Sequence, residues 1–188
     1  MKTRVALALF AAVALAACVV PPPLPSASLP ADAVIRAGDP LRAALANTSN
    51  AFSSPDRLAG RADQAARAMA HMEFLAIEMQ TNPRVTGGSA NVATLFTGAR
   101  AEWRQALGIP ASLPPQPVID QLYASARALS GGQAEAAAAA LHPAVFPRGG
   151  QATLSRLAAL PPLPLTNQAA VDATDILRRQ DGQGRGRF

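Results

Sequence analysis

Apolar residues recur at intervals of three and four over residues 55–82, the longest such pattern in the chain. This is the spacing of one face of an α-helix. Pro55 and Asp56 suit the first turn of a helix, and the Asn82-Pro83 pair favours its end. We therefore predict one long helix over residues 55–81. Its inward positions are Leu58, Ala62, Ala65, Met69, Met72, Ala76 and Met79.

Other segments carry weaker patterns of the same kind. The second longest covers residues 89–107 and ends at Gly108, and the third covers residues 117–130 and ends at Gly131, since glycine commonly follows a helix. No segment alternates apolar and polar residues as a half-buried strand does. The remaining predicted helices are residues 40–51, 133–141, 151–160 and 167–180, the last with Thr166 as its N-cap.

The connectors between these helices are short and rich in proline and glycine, which favours antiparallel packing of neighbours. We therefore predict an all-α domain, a single irregular bundle of about five to seven helices without a sheet. It is assigned to residues 39–180, a length sufficient to bury a core. Residues 18–38 are rich in proline and are interpreted as an extended tether, with the apolar pair Val34-Ile35 near its end. Residues 181–188 are polar and basic, and we predict that they are disordered.

The N-terminus has the composition of a secretion signal. Lys2 and Arg4 precede an apolar run over residues 5–17, which is shorter than the roughly 20 residues that span a bilayer. The sequence Leu15-Ala16-Ala17-Cys18 resembles the lipobox of bacterial lipoproteins. The resemblance implies that residues 1–17 are a signal peptide that is removed, and that Cys18 carries diacylglycerol as a membrane anchor.

The same resemblance gives an expected location. Val19 and Val20 follow the cysteine in place of the aspartate that retains lipoproteins at the inner membrane of enteric bacteria. We therefore expect the outer membrane, with the protein facing the periplasm. The expected partners are the membrane, through the lipid on Cys18, and an envelope protein or wall polymer. Nucleic acid is not an expected partner, because eleven arginines and eleven acidic residues cancel over residues 19–177.

No motif for catalysis or for a cofactor was found. Cys18 is the only cysteine, and His71 and His142 are the only histidines. We expect no enzymatic activity, no cofactor and no metal site. Three methionines near His71 raise the alternative of a Cu(I) site, but their spacing on the inward face favours a role in the core. They are Met69, Met72 and Met79.

The second half of the long helix has the most unusual pattern. Phe74 lies off the main apolar face, which predicts that this helix is the centre of the bundle. His71 and Glu78 then lie on a flank that neighbouring helices cover. A covered carboxylate needs a partner, and Arg100 or Arg104 on the following helix is the predicted partner of Glu78. We predict a structural ion pair or a surface site at His71, Phe74 and Glu78, in preference to an acid/base site.

These features favour a lipid-anchored envelope protein that acts as a structural or protein-interaction module. The alternative is a binding module for a small anion or a cell-wall fragment. The two hypotheses predict different surfaces. An interaction module exposes an apolar patch of several hundred Å², whereas a ligand-binding protein has a pocket with convergent polar groups.

Overall fold

The computed structural model describes residues 25–34, 38–86 and 90–184, and the described residues form eight α-helices and no β-strand. The predicted all-α class is confirmed. The helix count exceeds the predicted maximum of seven by one, because the single turn α3 lies in a segment predicted to be a connector. Short 3-10 helices cover Ala31–Ala33 and Pro55–Arg57. The α-helices are α1 (Pro40–Ala51), α2 (Ala62–Thr81), α3 (Pro83–Thr86), α4 (Ala90–Leu107), α5 (Pro115–Ser130), α6 (Ala134–Ala140), α7 (Gly150–Ala158) and α8 (Pro164–Gly184).

Helix α2 is the centre of the bundle, as predicted. It packs against α1, α4, α5 and α7, and every residue from Ala68 to Ile77 is buried. A helix at the surface would expose one face, so this burial requires neighbours around the whole circumference. The alanines on α2 let those neighbours approach closely, while Phe74, only 4% exposed, fills the space on the side away from the main apolar face.

The start of α2 differs from the prediction. The chain forms the 3-10 turn Pro55–Arg57 and then reverses at Gly60, whose φ of +72° is readily adopted only by glycine, so α2 begins at Ala62. Leu58 remains inward, and the Gly60 N–H donates to the carbonyl of Ala158 at 2.8 Å. The predicted apolar face is therefore correct at Leu58, but a turn carries this residue instead of a helix.

Helix α8 also differs at both ends. Its first residue is Pro164, because proline is favoured in the first turn, and Thr166 is therefore inside the helix and is not its N-cap. Glu102 of α4 takes the capping role, since its carboxylate accepts hydrogen bonds from the backbone N–H groups of Leu165 and Thr166 at 3.2 and 2.8 Å. The helix continues to Gly184, four residues beyond the predicted end of the domain. Residues 185–188 lie outside the described residues.

Part of the predicted tether packs on the domain. The Ser28 N–H donates to the side chain of Gln116 at 2.8 Å, and Asp32 forms an ion pair with Arg127 at 2.6 Å. Leu29 is half-buried against the core. Residues 27–33, which precede the predicted start of the domain at residue 39, therefore contact the bundle along α5. Their apolar and charged side chains both have partners there, which an extended free tether would not provide.

The lipobox and Cys18 lie outside the described residues, as do residues 35–37. Val34 is half-buried, whereas Ile35, the other member of the apolar pair, is among the residues not described. In the described part of the chain, no helix combines the length and the apolar character needed to cross a membrane.

Candidate functional site

Two buried polar residues of α2 lie on opposite sides of the helix. His71 and Glu73 are two positions apart, which rotates their side chains by about 200° around the helix axis. Glu73 faces α4, where its hydrogen-bond partners lie, and His71 faces α5. Both are nearly inaccessible to solvent, so each needs partners within the protein.

Glu73 forms a hydrogen-bonded cluster with α4, here named the Glu73 cluster and consisting of Glu73, Arg100, Trp103 and Arg104. The Oε1 atom accepts hydrogen bonds from Trp103 Nε1 at 2.8 Å and from Arg104 Nε at 2.7 Å. The Oε2 atom accepts from Arg104 Nη2 at 2.8 Å and from Arg100 Nε at 3.2 Å. One carboxylate thus receives charge-assisted hydrogen bonds from two guanidinium groups and one from an indole.

The remaining donors of Arg104 hold the loop that follows α4. Its Nη1 atom donates to the carbonyl oxygens of three loop residues at 3.0, 3.1 and 2.8 Å. Because both the carboxylate and Arg104 are occupied by protein groups, the Glu73 cluster joins α2, α4 and this loop and has a structural role. The three carbonyls belong to Pro110, Ala111 and Leu113.

The predicted pairing of Glu78 with Arg100 or Arg104 is therefore wrong, because both arginines contact Glu73. Glu78 is five positions further along α2, which turns its side chain by about 140° away from Glu73. It is half-buried and accepts a hydrogen bond from the Asn82 side chain at the end of the helix. An ion pair does exist on α2, but its carboxylate is that of Glu73, which shares the apolar face with Met69 and Ala76.

His71 has only one hydrogen-bond partner among the described residues. Its Nε2 atom lies 2.6 Å from the Tyr123 hydroxyl, and its Nδ1 atom is buried without a partner there. Burial, together with the nearby charge of Arg67, lowers the pKa of His71 to about 4. Burial also raises the pKa of Tyr123 well above its ordinary value. At neutral pH both rings are uncharged. A neutral phenol can donate to Nε2 or accept from it, so the imidazole tautomer decides the direction of this hydrogen bond.

His71 and Tyr123 line a cavity of about 440 Å³ between α1, α2, α5 and the segment around Ala31–Ala33. We name it the arginine cavity, because Arg57, Arg61 and Arg67 line it. The turn that begins α2 supplies the first two arginines and the first half of α2 supplies the third. The remaining lining residues are Asp32, Ala33, Asn47, Asn50, Ala51, Leu58, Gln64 and Ala68.

The three arginines carry charge that no acidic residue of the described chain neutralises by direct contact. Arg61 makes no side-chain hydrogen bond or ion pair with the described residues, and Arg57 and Arg67 donate to the neutral side chains of Asn50 and Ser130 at 2.6 and 3.3 Å. The one lining acid, Asp32, is already paired with Arg127.

Asp32 lines the arginine cavity, and its partner Arg127 lies outside the lining residues. Hydrogen bonds and the positive charge of Arg127 hold the pKa of the Asp32 carboxyl below its ordinary value. The guanidinium groups of Arg67 and Arg127 lie 5.9 and 5.7 Å from the centre of the Tyr123 ring, within the range of cation–π attraction. The charge balance of the site is therefore positive, which attracts an anion.

The structure does not bring the predicted site residues together. His71 lines the arginine cavity, Phe74 is in the core, and Glu78 lies near the far end of α2. The three methionines considered as copper ligands are core residues, between 0 and 4% exposed. No cluster of three or more metal-ligating side chains of the His, Cys, Asp and Glu types occurs in the described residues.

The three arginines of the cavity and Tyr123 were not predicted from the sequence as site residues. One feature of the sequence points to them, because Arg57, Arg61 and Arg67 fall close together and Arg67 precedes His71 by four positions, one helical turn. Asp56 and Asp63 lie among them and conceal the excess of positive charge. Tyr123 is distant in sequence and joins the site only through the packing of α5 on α2.

No protein-family model, curated protein or solved structure matches the chain. A function therefore has to be argued from the geometry and charge of the site.

Proposed function

We propose that the protein is a lipid-anchored component of the bacterial cell envelope that binds a small anionic ligand in the arginine cavity. The observation that carries the proposal is the uncompensated charge of Arg57, Arg61 and Arg67 around one concave space. Guanidinium groups bind phosphate and carboxylate groups through paired hydrogen bonds. A volume of about 440 Å³ is within the range of small-molecule sites.

We therefore prefer a binding module for a small anion or a cell-wall fragment to a protein-interaction module. Leu165 and Val171, 44% and 43% exposed, are the only exposed large apolar side chains among those whose burial the structure describes. Two such residues do not supply the apolar patch of several hundred Å² expected of an interaction surface. The arginine cavity does have the convergent polar groups expected of a ligand site.

The lining residues suggest how the anion is held. Arg61 is the principal ligand in this proposal, since it has no competing partner among the described residues, and Arg57 and Arg67 flank the same space. A phosphate or carboxylate group suits these donors, including the carboxylates of a cell-wall peptide.

We propose binding and not catalysis. A general acid or base works best when its pKa is near the ambient pH. His71 has a pKa of about 4, and the pKa of Tyr123 is displaced upward by burial, so neither ring exchanges a proton readily near neutral pH. The arginines supply charge and hydrogen bonds, which bind and orient a ligand.

Isothermal titration with methyl phosphate tests the proposed site. Arg61→Gln should weaken binding about tenfold or more, because a hydrogen bond to a charged group contributes about 1.5–3 kcal/mol. Arg156→Gln is the matched control, since Arg156 is an exposed arginine on α7 that does not line the cavity. Binding should weaken with added salt in the wild type. Equal affinities for the two variants, or no binding by the wild type, would contradict the proposal.

The anchor is tested separately. Cys18→Ser should move the protein from the membrane fraction to the soluble fraction of the envelope, because two or more acyl chains are needed for stable anchoring and the serine variant has none. Mass spectrometry of the wild-type N-terminus should find a lipid-modified cysteine. An unmodified Cys18 in protein that still sediments with membranes would contradict this part.

A further inference from the structure

A second concave space, here named the apolar groove, lies between the end of α7 and the start of α8. Its volume is about 370 Å³, and Phe52, Leu58, Leu160, Pro161, Pro162 and Leu163 form most of its surface. The prolines explain its character, since they have no backbone N–H to offer and cannot extend α7. The polar side chain of Asn167, at the edge, is already occupied by a hydrogen bond to the carbonyl of Phe52.

The apolar groove adjoins the arginine cavity. Ala51 and Leu58 line both spaces, so the two meet across the short turn between α1 and α2. Positive charge and hydrogen-bond donors thus stand directly beside a surface of leucine, phenylalanine and proline. This juxtaposition matches a ligand that has a charged end and an apolar end.

We propose that the bound ligand is a single-chain amphiphile, with an anionic head group in the arginine cavity and its hydrocarbon chain in the apolar groove. The inference rests on the proposed function, because the head group is the anion of that proposal. The proposal assigns the groove to the hydrocarbon chain of the same ligand, because the groove shares the lining residues Ala51 and Leu58 with the cationic site. Such a ligand is a lysolipid, a fatty acid or an alkyl phosphate taken up as a monomer.

The two parts of the ligand contribute in different ways. Attraction to the arginines is long-range and sensitive to salt, so it sets the orientation of the head group. The chain contributes by leaving water, which amounts to about fourfold in affinity for each CH₂ group that becomes fully buried. Affinity should therefore increase with chain length until the groove is filled.

The experiment compares methyl phosphate with octyl phosphate below its micellar concentration, by isothermal titration of the full chain. Wild type should bind octyl phosphate at least about tenfold more tightly than methyl phosphate, as expected if only a few of the additional CH₂ groups are buried. Leu163→Ser should reduce this ratio to below about threefold and leave methyl phosphate binding unchanged. Leu165→Ser is the matched control, because Leu165 is exposed and does not line the groove.

Pro162→Glu provides a second test that does not disturb the core. Pro162 is exposed and lines the groove. A hydrocarbon chain that covers the new carboxylate would remove water from a charged group, so binding of the chain should weaken without a loss of melting temperature. If Leu163→Ser proves unstable, the ratio measured for Pro162→Glu decides. A ratio equal to that of the wild type in a folded Pro162→Glu protein would overturn the inference.

The outcomes separate the inference from the proposed function. Methyl phosphate binding that depends on Arg61, with equal affinity for octyl phosphate, overturns the amphiphile and leaves the anion site in place. Octyl phosphate binding that is independent of Arg61 overturns both. A wild-type dimer in light scattering that Leu163→Ser makes monomeric would assign the groove to a second copy of the chain, and would also overturn the inference.

Discussion

His71 and Glu73 are both buried on the same helix, 3% and 0% exposed, but their surroundings differ completely. Both oxygens of Glu73 accept hydrogen bonds from side chains of α4, and the residue is fully buried. His71 has one partner, Tyr123, and lines a cavity of about 440 Å³. Burial of a polar group therefore does not by itself indicate a functional site. Incomplete hydrogen bonding beside an open volume is the more informative feature.

The difference follows from charge. A buried carboxylate is tolerated only when it is paired and fully hydrogen-bonded, so Glu73 depends on two arginines one helical turn apart. An imidazole can lose its proton and be buried in the neutral state, as the lowered pKa of His71 shows. A neutral ring needs fewer partners, and the buried Nδ1 atom of His71 has none among the described residues.

The largest expected loss of stability comes from a substitution in the Glu73 cluster. Glu73→Gln should lower the free energy of unfolding by about 3–5 kcal/mol, because it leaves the buried charges of Arg100 and Arg104 without a counter-charge. That is a large part of the roughly 5–15 kcal/mol expected for a domain. Urea denaturation measures it, with Glu135→Gln on the exposed face of α6 as the control, expected within about 0.5 kcal/mol of wild type.

A loss of less than about 1 kcal/mol for Glu73→Gln would show that the arginines find other partners, and the structural role of the Glu73 cluster would be wrong. Methyl phosphate binding should survive the substitution in protein that remains folded, since the cluster faces away from the arginine cavity.

The second prediction concerns His71 and the dependence of the protein's stability on pH. Because the pKa of His71 is about 4 in the folded protein and 6.5 otherwise, the unfolded chain takes up a proton first as the pH falls. Stability should therefore be unaffected above pH 6.5 and should decrease between about pH 6.5 and 4, by up to about 3 kcal/mol. His71→Gln should abolish most of this slope, and His142→Gln, at an exposed position, should retain it.

Two aspartates with lowered pKa values do not confuse this test. Asp39 and Asp32 lose their stabilising contributions only as the pH falls through pKa values below 3.8, under the window of His71. Their causes are hydrogen bonds from Arg84 and Arg127 respectively. A slope between pH 6.5 and 4 that persists in His71→Gln would contradict the buried neutral imidazole.

The fold was largely predictable from the sequence, and the site was not. The spacing of three and four residues locates α2 and α4, because each helix contributes its own apolar face and the pattern is local. The end of α2 at Thr81 follows from the Asn82-Pro83 pair, whereas its start depends on the positive φ of Gly60, which the apolar pattern does not reveal. Leu58 would point inward in the predicted helix, and it also points inward in the observed turn.

The site depends on contacts between distant parts of the chain. Tyr123 meets His71 across 52 positions, and Asp32 meets Arg127 across 95. A helical pattern carries no information about which partner faces a residue on another helix. Glu73 was recognisable in principle, because it shares the inward face with Met69 and Ala76, and a carboxylate on an apolar face requires a buried cation. Arg100 and Arg104 pair with Glu73 and not with Glu78, because the two glutamate side chains point about 140° apart around the axis of α2.

The smallest effect on stability, and the sharpest test of the cavity's charge, is expected from Asp32→Asn. The Asp32–Arg127 pair is partly exposed, with side chains 35% and 47% accessible, so its loss should cost at most about 1 kcal/mol. Affinity for methyl phosphate should nevertheless increase about two- to fivefold, because the substitution removes the one acidic side chain that lines the arginine cavity. Asp172→Asn on α8, which changes the net charge equally but lies outside the cavity, should leave the affinity unchanged. Titrations at low and high salt measure both variants, and the gain should shrink at high salt. Weaker binding by Asp32→Asn would mean that this carboxylate holds the ligand or its arginines in place, and that the cavity does not act through an excess of positive charge.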